Sequence, residues 1–397
     1  MTVRQSVRKV HSRWLYVVLG MIMFICLGTV YSWSVFRTPF EELYDLNAAQ
    51  SGLPYLVFLV FYTIFMIVSG RFVDRHNPKA IIAAGGLLVG LGWLMSGVVR
   101  NFEAVVFFYG AVSGSGVGIA YGVPIKIVSH SFSEKKGLAL GLLLSGFGLS
   151  PFITAPIIKS LLSSSGVNHT FIVLGVAFSI LIPLIGIFFN RPEGSLVASY
   201  ERSSYKISSI IKTRRFAGLW SCFVIGATVG LMIIGVTSQI GTELFGLTSQ
   251  AAALLISVFA VFNALGRPLF GFFTDKLGVS RTASLSFALI FLASLMMLIP
   301  KLHSTFLYIV ALSIFWMNLG AWLSIAPTAI GIMFDPKNYS RNYGVLFSAY
   351  GAGALLGTPI AGFMRTWLGS YRLIFLPVLV LCVLGFVLAN TLLKSTK

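Results

Sequence analysis

One arginine of this chain lies well inside an apolar run, where a charged side chain is costly. Arg267 stands in the segment Asn263-Ala264-Leu265-Gly266-Arg267-Pro268. In a helix it would lie ~12 Å before Asp275, which is the next charged residue along the chain. The run itself, near 250–273, holds no acidic residue. A planar guanidinium pairs with a carboxylate through two parallel hydrogen bonds. Arg267 therefore predicts a site for an organic anion, and the alternative is that it snorkels to the membrane surface.

Other polar and aromatic side chains could complete such a site. Asn263 lies one helical turn before Arg267 on the same face, and Pro268 would bend the helix beside it. Aromatic rings with a polar tip can stack on a small anion and donate hydrogen bonds to it. The predicted substrate-binding set is Arg267, Asn263, Tyr31, Tyr121, Asn318, Trp322 and Tyr350. The alternative for each ring is packing or an interfacial anchor. Lys126, near the end of its run, is expected to snorkel.

Residues for catalysis or metal binding are not grouped in this sequence. All 11 acidic residues lie in loops or at the ends of apolar runs, and the 5 histidines are scattered. The 3 cysteines lie inside apolar runs and suggest no disulfide framework or metal motif. We expect no enzymatic activity, no metal and no cofactor.

The elements that position these residues are predicted to be membrane helices. Of the 397 residues, 57% are hydrophobic and only 10% are charged, which excludes an ordinary soluble protein. Twelve apolar runs of about 20 residues follow one another, each able to cross ~30 Å of hydrocarbon as a helix. The fifth and sixth runs lie near 137–161 and 170–190. Barrel strands would be shorter and would alternate in polarity. The predicted fold is an all-α integral membrane bundle of twelve transmembrane helices.

The two halves of the chain repeat each other. Gly70-Arg71-Phe72-Val73-Asp74-Arg75 recurs 201 residues later as Gly271-Phe272-Phe273-Thr274-Asp275-Lys276, and we call these two polar segments the cassettes. Other pairs recur at a shift of 203 residues: Ser145 and Ser348, Gly148 and Gly351, Pro156 and Pro359. Several pairs in one register indicate duplication. We predict a first six-helix half over 1–190, a cytosolic linker over 191–215 and a second six-helix half over 216–397.

The charge of +18 is distributed as a topology signal. If the N-terminus is cytosolic and the chain crosses twelve times, most lysines and arginines fall in cytosolic segments, as the positive-inside rule requires. We therefore expect a multi-pass protein of the cell inner (plasma) membrane with both termini cytosolic. Orientation in the lipid bilayer therefore explains the excess of basic residues, and no nucleic-acid partner is expected.

Two homologous six-helix halves with Gly-x-x-x-Asp-[Arg/Lys] after the second and eighth helices resemble the major facilitator superfamily over the whole chain. The resemblance implies a solute site near the midplane between the halves, which rock between two open states. It also implies a gating role for Gly70, Asp74, Arg75, Gly271, Asp275 and Lys276, with both aspartates near helix N-termini and basic partners. The alternative is that the cassettes are only solvated turns.

Further motifs resemble the oxalate:formate antiporter family, a relative of the monocarboxylate transporters. They are Tyr31-Ser32-Trp33, the segment from Phe132 to Ala139, Ser145-Gly146-Phe147-Gly148, Gly266-Arg267-Pro268 and Ser340-Arg341-Asn342-Tyr343-Gly344. The sequence departs from the family twice. Tyr350 stands where oxalate carriers place a second cation, a lysine, and Asn263 stands where animal monocarboxylate carriers place an aspartate that takes part in proton coupling.

The predicted function is secondary transport of a small monocarboxylate such as lactate, pyruvate or formate, as a proton symporter or an anion exchanger. The partners are then a small organic anion, a proton if symport operates, and the bilayer, with the chain acting as a monomer. The alternatives are an antiporter of oxalate or another dicarboxylate and, less favoured, a drug efflux carrier, which would usually hold a carboxylate inside the bundle.

Overall fold

The computed structural model describes residues 3–70, 76–132, 136–190, 208–299, 304–334 and 339–394. Every regular element within these ranges is helical. The α-helices are α1 (Val3–Leu27), α2 (Trp33–Tyr44), α3 (Leu53–Ser69), α4 (Pro78–Val98), α5 (Phe102–Val105), α6 (Gly114–Ser131), α7 (Lys136–Gly186), α8 (Ser208–Ile211), α9 (Arg214–Phe245), α10 (Ser249–Leu277), α11 (Val279–Leu298), α12 (Thr305–Met333), α13 (Tyr339–Leu346), α14 (Ser348–Leu368) and α15 (Phe375–Leu392). Short 3₁₀ segments join α1 to α2 and precede α3 and α15, and a π-helical segment joins α5 to α6.

The described residues contain twelve helical arms that are long and apolar enough to cross a membrane. Eleven stretches of the described residues are long and apolar enough to cross, and one of them, Ala139–Gly186, has 48 residues. A continuous helix of that length would measure ~72 Å, more than twice the hydrocarbon thickness. The helix is interrupted at Gly166, whose φ of 76° and ψ of −179° are not helical. A residue with a Cβ rarely adopts this backbone. The two arms of α7 are therefore the predicted fifth and sixth spans.

Polar caps determine where several spans begin. The side chains of Asn77, Thr213 and Thr248 accept hydrogen bonds from backbone N–H groups in the first turns of α4, α9 and α10. These groups have no partner within the helix, so each cap stabilises a helix start that would otherwise need water. Pro78 occupies the first position of α4, where its missing N–H costs nothing.

The two six-helix halves meet chiefly along two helix pairs. The first half contains α1 to α7 and the second contains α9 to α15; α7 packs against α10, and α3 packs against α14. Within the second half, α10 and α12 approach so closely that a Cβ on Gly320 would lie 2.0 Å from the backbone oxygen of Asn263. This approach fixes the position of the middle of α10. The predicted twelve-helix fold in two halves is confirmed.

The second cassette differs from the sequence prediction. Residues 271–276 were expected in a loop, and they form the last turns of α10, which ends at Leu277. Nothing in Phe272-Phe273-Thr274 breaks a helix, and the first non-helical residue is Gly278, with a φ of 83°. Part of the predicted linker over 191–215 is also helical, since α8 and the start of α9 lie within it. Residues 191–207 are outside the described ranges, and the domain boundaries stay a prediction.

Candidate anion-binding site

The Arg267 guanidinium is buried between the two halves. Its side chain is 2% exposed, and Nη1 donates a hydrogen bond of 2.6 Å to the Leu144 carbonyl of α7. In the part of the chain that the structure describes, Nε and Nη2 form no geometrically defined hydrogen bond. Among the described residues, no carboxylate lies within ion-pair distance of this guanidinium. The snorkelling alternative is wrong because the charged head is enclosed by protein.

A proline and a serine hold α10 against α7 beside Arg267. Pro268 has no N–H, so the carbonyl of Ala264, four residues earlier, loses its usual donor within the helix. The Ser145 hydroxyl of α7 donates to this carbonyl at 3.4 Å. Gly148, one turn along α7, leaves the space that the Asn263 side chain uses, because a Cβ there would lie 2.4 Å from Asn263 Oδ1. The missing N–H of Pro268 thus leaves a backbone acceptor for the opposite half, and the bend expected there stays a prediction.

Asn263 lies beside Arg267, as its spacing predicts. Its amide Nδ2 donates to the Trp316 carbonyl of α12 at 2.8 Å. Its Oδ1 has no hydrogen-bond partner among the residues described, and the residue is fully buried. One bond fixes the amide, and its oxygen remains able to accept from a hydroxyl.

Three predicted tyrosines gather around Arg267. The hydroxyls of Tyr31 and Tyr121 lie close enough to interact electrostatically with the guanidinium. The Tyr31 and Tyr350 hydroxyls are 2.8 Å apart and form a hydrogen bond that joins the first half to the second. Phe147 of α7 contacts the rings of Tyr31 and Tyr121 with centroids 5.1 and 5.6 Å apart. Tyr31, Tyr121 and Tyr350 are each at most 2% exposed, so the group is closed on all sides.

Sequence reasoning missed Tyr62 of α3, which joins the same cluster. Its ring lies 5.4 Å from Tyr121 and 5.8 Å from Tyr350, between centroids. The internal repeat could have identified Tyr62 from the sequence. Tyr62 precedes Asn263 by 201 residues, the shift that relates the two cassettes, so the two residues occupy equivalent positions in the two halves.

Asn318 and Trp322 lie outside this cluster. The Asn318 amide accepts from the Ser286 hydroxyl of α11 at 2.7 Å and donates to Ile314 of its own helix. Trp322 packs inside the second half, with centroid distances of 6.2 Å to Phe223 and 5.3 Å to Phe287. The structure uses both side chains to pack α12 against its neighbours. Lys126 is exposed on α6, in keeping with its predicted position near a membrane surface.

The cassette residues are described only in part. Asp74 and Arg75 lie outside the described residues, and Gly70 caps the C-terminal end of α3 directly after Ser69. Asp275 and Lys276 are exposed, and Lys276 Nζ lies 4.6 Å from the centre of the Phe272 ring. Asp275 lies in the last turn of α10, two residues before its end, and Gly271 faces the Ser324 hydroxyl of α12. The gating role of the cassettes stays a prediction.

A second buried guanidinium, Arg37, was also missed. The sequence places it simply at the outer end of the first span, yet its side chain is 1% exposed. Its position near the end of an apolar run made it look like an ordinary interfacial arginine. Elsewhere in the described ranges, no group of three or more His, Cys, Asp or Glu side chains is placed to hold a metal ion.

Comparison with known proteins agrees with this architecture. The chain is 27% identical over 393 residues to the oxalate:formate antiporter of Oxalobacter formigenes, which covers 97% of this chain and 93% of that protein. It is 24% identical over 419 residues to monocarboxylate transporter 12 of Homo sapiens, covering 97% and 80% of the two chains. These relatives match the resemblance stated from the motifs.

Solved structures show the same fold at low sequence identity. A bacterial homologue of the human lysosomal transporter Spinster, in an inward-facing and unoccupied conformation, superimposes with a TM-score of 0.73 at 16% identity, over 98% of this chain and 99% of the other. The nucleoside transporter NupG superimposes with a TM-score of 0.75 at 14% identity, over 96% and 100%. A family model described as Major Facilitator Superfamily matches residues 13–248 and 232–397. The chain therefore belongs to the major facilitator superfamily and is a multi-pass membrane transporter.

Proposed function

We propose that this protein transports a small monocarboxylate anion by alternating access, with Arg267 as the anion-binding residue. The observation that carries the proposal is the buried guanidinium whose Nε and Nη2 have no geometrically defined hydrogen-bond partner within the described part of the chain. These two nitrogens form one edge of the guanidinium, and their parallel N–H bonds match the two oxygens of a carboxylate. The names of the antiporter and monocarboxylate relatives support the same class of solute.

The charge of the site favours a monoanion over a dianion. Arg267 is one positive charge, and Tyr350 offers a neutral hydroxyl where the resemblance places a second cation. A lactate, pyruvate or formate ion would neutralise Arg267, and the closed site would then bury no net charge. A dicarboxylate such as oxalate would leave one negative charge without a partner. The oxalate:formate antiporter relative nevertheless keeps dicarboxylate exchange as the second candidate.

The proposed cycle uses the contacts of the closed site. The anion binds Nε and Nη2, while Tyr31 and Tyr121 approach its oxygens with hydroxyl donors. Neutralising Arg267 lowers the free energy of enclosing it in protein. The halves then rock about the α7–α10 and α3–α14 contacts and expose the site to the other side. The cassettes would hold one of the two end states.

Transport assays with Arg267→Ala test the proposal. Purified protein in proteoliposomes is offered labelled lactate, pyruvate, formate and oxalate, with and without a pH gradient. We expect lactate-class uptake by the wild type and a loss of at least about a hundredfold in Arg267→Ala, because a bidentate charge-assisted pair is removed. Arg281→Ala is the matched control, because Arg281 is an exposed arginine of the same half.

The same assay decides the remaining assignments. Uptake retained by folded Arg267→Ala would overturn the proposed site, and oxalate exchange faster than lactate transport would favour the second candidate. If an inward proton gradient accelerates uptake of the labelled anion, the protein is a symporter. If the gradient has no effect and unlabelled anion inside the proteoliposomes accelerates uptake, the protein is an exchanger. We also propose that the protein lies in the cell inner (plasma) membrane with both termini cytosolic, as the distribution of basic residues predicts. We propose separately that it acts as a monomer.

A further inference from the structure

Arg37 joins the two halves at the end of the bundle opposite the second cassette. We call this the distal end; it includes the end of α2, the turn at Gly166 and the start of α10. Nη1 of Arg37 donates to the Gly235 carbonyl of α9, in the second half, at 3.3 Å. An added Cβ on Gly235 would lie 3.0 Å from the Tyr55 ring of α3, so this glycine makes room for Tyr55 while its carbonyl accepts from Arg37. The first half thus reaches across to the second with a full positive charge.

The other guanidinium nitrogens remain bound within the first half. Nε donates to the Ser51 hydroxyl at 3.0 Å, and Nη2 donates to the Ala48 carbonyl. The nearest carboxylate is that of Glu41, whose Oε1 is 3.9 Å from Nε and accepts a bond of 2.5 Å from Ser51. The bond to Gly235 is longer than the 3.0 Å bond to Ser51 and lies beyond the usual range for N–H···O bonds. Nη1 is therefore the nitrogen that can exchange its partner.

A second polar group lies beside Arg37. Ser34, one helical turn before Arg37 on α2, is 1% exposed, and its hydroxyl forms no hydrogen bond with any residue that the structure describes. Across the interface, Gln239 of α9 donates from Nε2 to the Ser34 carbonyl at 3.0 Å and to the Thr38 hydroxyl at 3.4 Å. Side-chain donors on both helices therefore surround the place where α2 meets α9.

We propose that Arg37, with Ser34 and Gln239, is a second binding site for the transported carboxylate, formed when α2 and α9 separate at the distal end. Opening removes the Gly235 carbonyl from Nη1 and the Ser34 carbonyl from Gln239. The anion then replaces the Gly235 carbonyl, because an N–H bond to a carboxylate is about twice as strong as one to a neutral acceptor. Release of the anion toward Arg267 lets Gly235 return and closes this end. The inference rests on the proposed function.

Transport measured separately from the two sides tests this site. Right-side-out and inside-out membrane vesicles expose opposite ends of the protein to labelled lactate. We expect Arg37→Gln to raise KM at the distal end about tenfold, since a charge-assisted contact to the anion is lost, and to change KM at the cassette end less than about twofold. Arg37→Lys keeps the charge and should raise the distal KM only about threefold. Arg100→Gln, at an exposed position after α4, is the matched control for surface charge.

The direction of the change separates a binding site from a simple latch. If Arg37 only held the distal end shut, its loss would populate the form open there, and KM at the distal end would fall. A fall or no change therefore overturns the proposal. Should Arg37→Gln fail to fold, Arg37→Lys and Ser34→Ala are judged by the same criterion, with a rise of about twofold expected for Ser34→Ala from the lost hydroxyl donor. Arg267→Ala is measured in parallel, because transport retained there would refute the proposed function instead.

Discussion

At the scale of the residue, charge balance governs what this protein can enclose. Arg267 is held by one backbone carbonyl and by no carboxylate among the described residues, so its charge is compensated only by dipoles. Burying a charge without a counter-ion raises the free energy of the folded protein. A bound monoanion pairs with Arg267, so the enclosed site then has no net charge. The Tyr31–Tyr350 hydroxyl pair beside it is neutral and adds no counter-charge. Selectivity for charge thus follows from one cation in a closed site.

Adding a second cation should change the selectivity. Tyr350→Lys would place an ammonium close to Tyr31 and within the Arg267 cluster. We expect lactate transport to fall at least about tenfold, because two cations would face one negative charge, and oxalate exchange to rise above background. Counterflow of labelled oxalate and lactate in proteoliposomes measures both.

The hydroxyl itself is the control for that change. Tyr350→Phe removes the bond to Tyr31 without adding charge, so lactate transport should stay within about threefold of the wild type, as for the loss of one neutral hydrogen bond. A gain of oxalate exchange in Tyr350→Phe would contradict the electrostatic explanation, and so would unchanged lactate transport in Tyr350→Lys.

At the scale of the element, the site depends on how closely α10 approaches both α12 and α7. Gly320 lets α12 touch the backbone of Asn263, and Gly148 leaves room for the Asn263 side chain. Pro268 turns the Ala264 carbonyl into an acceptor for Ser145. Small residues on the neighbours of α10 therefore determine where Arg267 lies.

Filling the α10–α12 contact should displace Arg267. In Gly320→Ala the new Cβ would lie 2.0 Å from the Asn263 oxygen, so the helices must separate. We expect the free energy of unfolding to fall by about 1–3 kcal/mol, as for other overpacked contacts, and transport to fall with it. Thermal unfolding in detergent and lactate uptake measure the two effects.

Gly141→Ala provides the comparison for that experiment. Gly141 lies in α7 of the same bundle, with nothing within 4 Å of its added Cβ. Alanine should therefore be neutral or stabilising by roughly 0.5–1 kcal/mol, because glycine is the weaker helix former. Equal losses in both variants would mean that the α10–α12 contact has no special role.

The sequence predicted the spans, their division into two halves and the position of Arg267 inside the bundle. Long apolar runs, repeated motifs and a charge within such a run can all be recognised from the order of residues alone. It did not predict that α10 continues through the second cassette, because no residue there signals the helix end before Gly278. It also placed Asn318 and Trp322 in the site, although both face helices of their own half. Which face of a uniformly apolar helix looks inward depends on packing, and hydrophobic periodicity does not report packing in a membrane.

At the scale of the whole molecule, the orientation in the membrane can be measured directly. The three native cysteines, Cys26, Cys222 and Cys382, are buried, so they should react little with a polar maleimide. Ser164 is exposed at the turn in α7, and Lys276 is exposed at the end of α10. These two positions lie at opposite ends of the bundle.

Labelling of intact cells should therefore separate the two positions. We expect a membrane-impermeant maleimide to modify Ser164→Cys in intact cells and Lys276→Cys only after permeabilisation, since the basic segments are retained in the cytosol. Both variants should label in detergent, which controls for exposure. Labelling of Lys276→Cys alone in intact cells would invert the predicted topology and would assign the distal end to the cytosol.

The bond from Arg267 to Leu144 has a consequence for how this protein tolerates change. Its acceptor is a main-chain carbonyl, and every amino acid supplies one. No substitution at position 144 can delete the acceptor, and only a change in helix geometry can move it. The Gly235 partner of Arg37 is of the same kind. At both contacts the arginine is the only side chain that the bond requires, so substitution of Leu144 or Gly235 leaves the acceptor in place, whereas substitution of the arginine removes the contact.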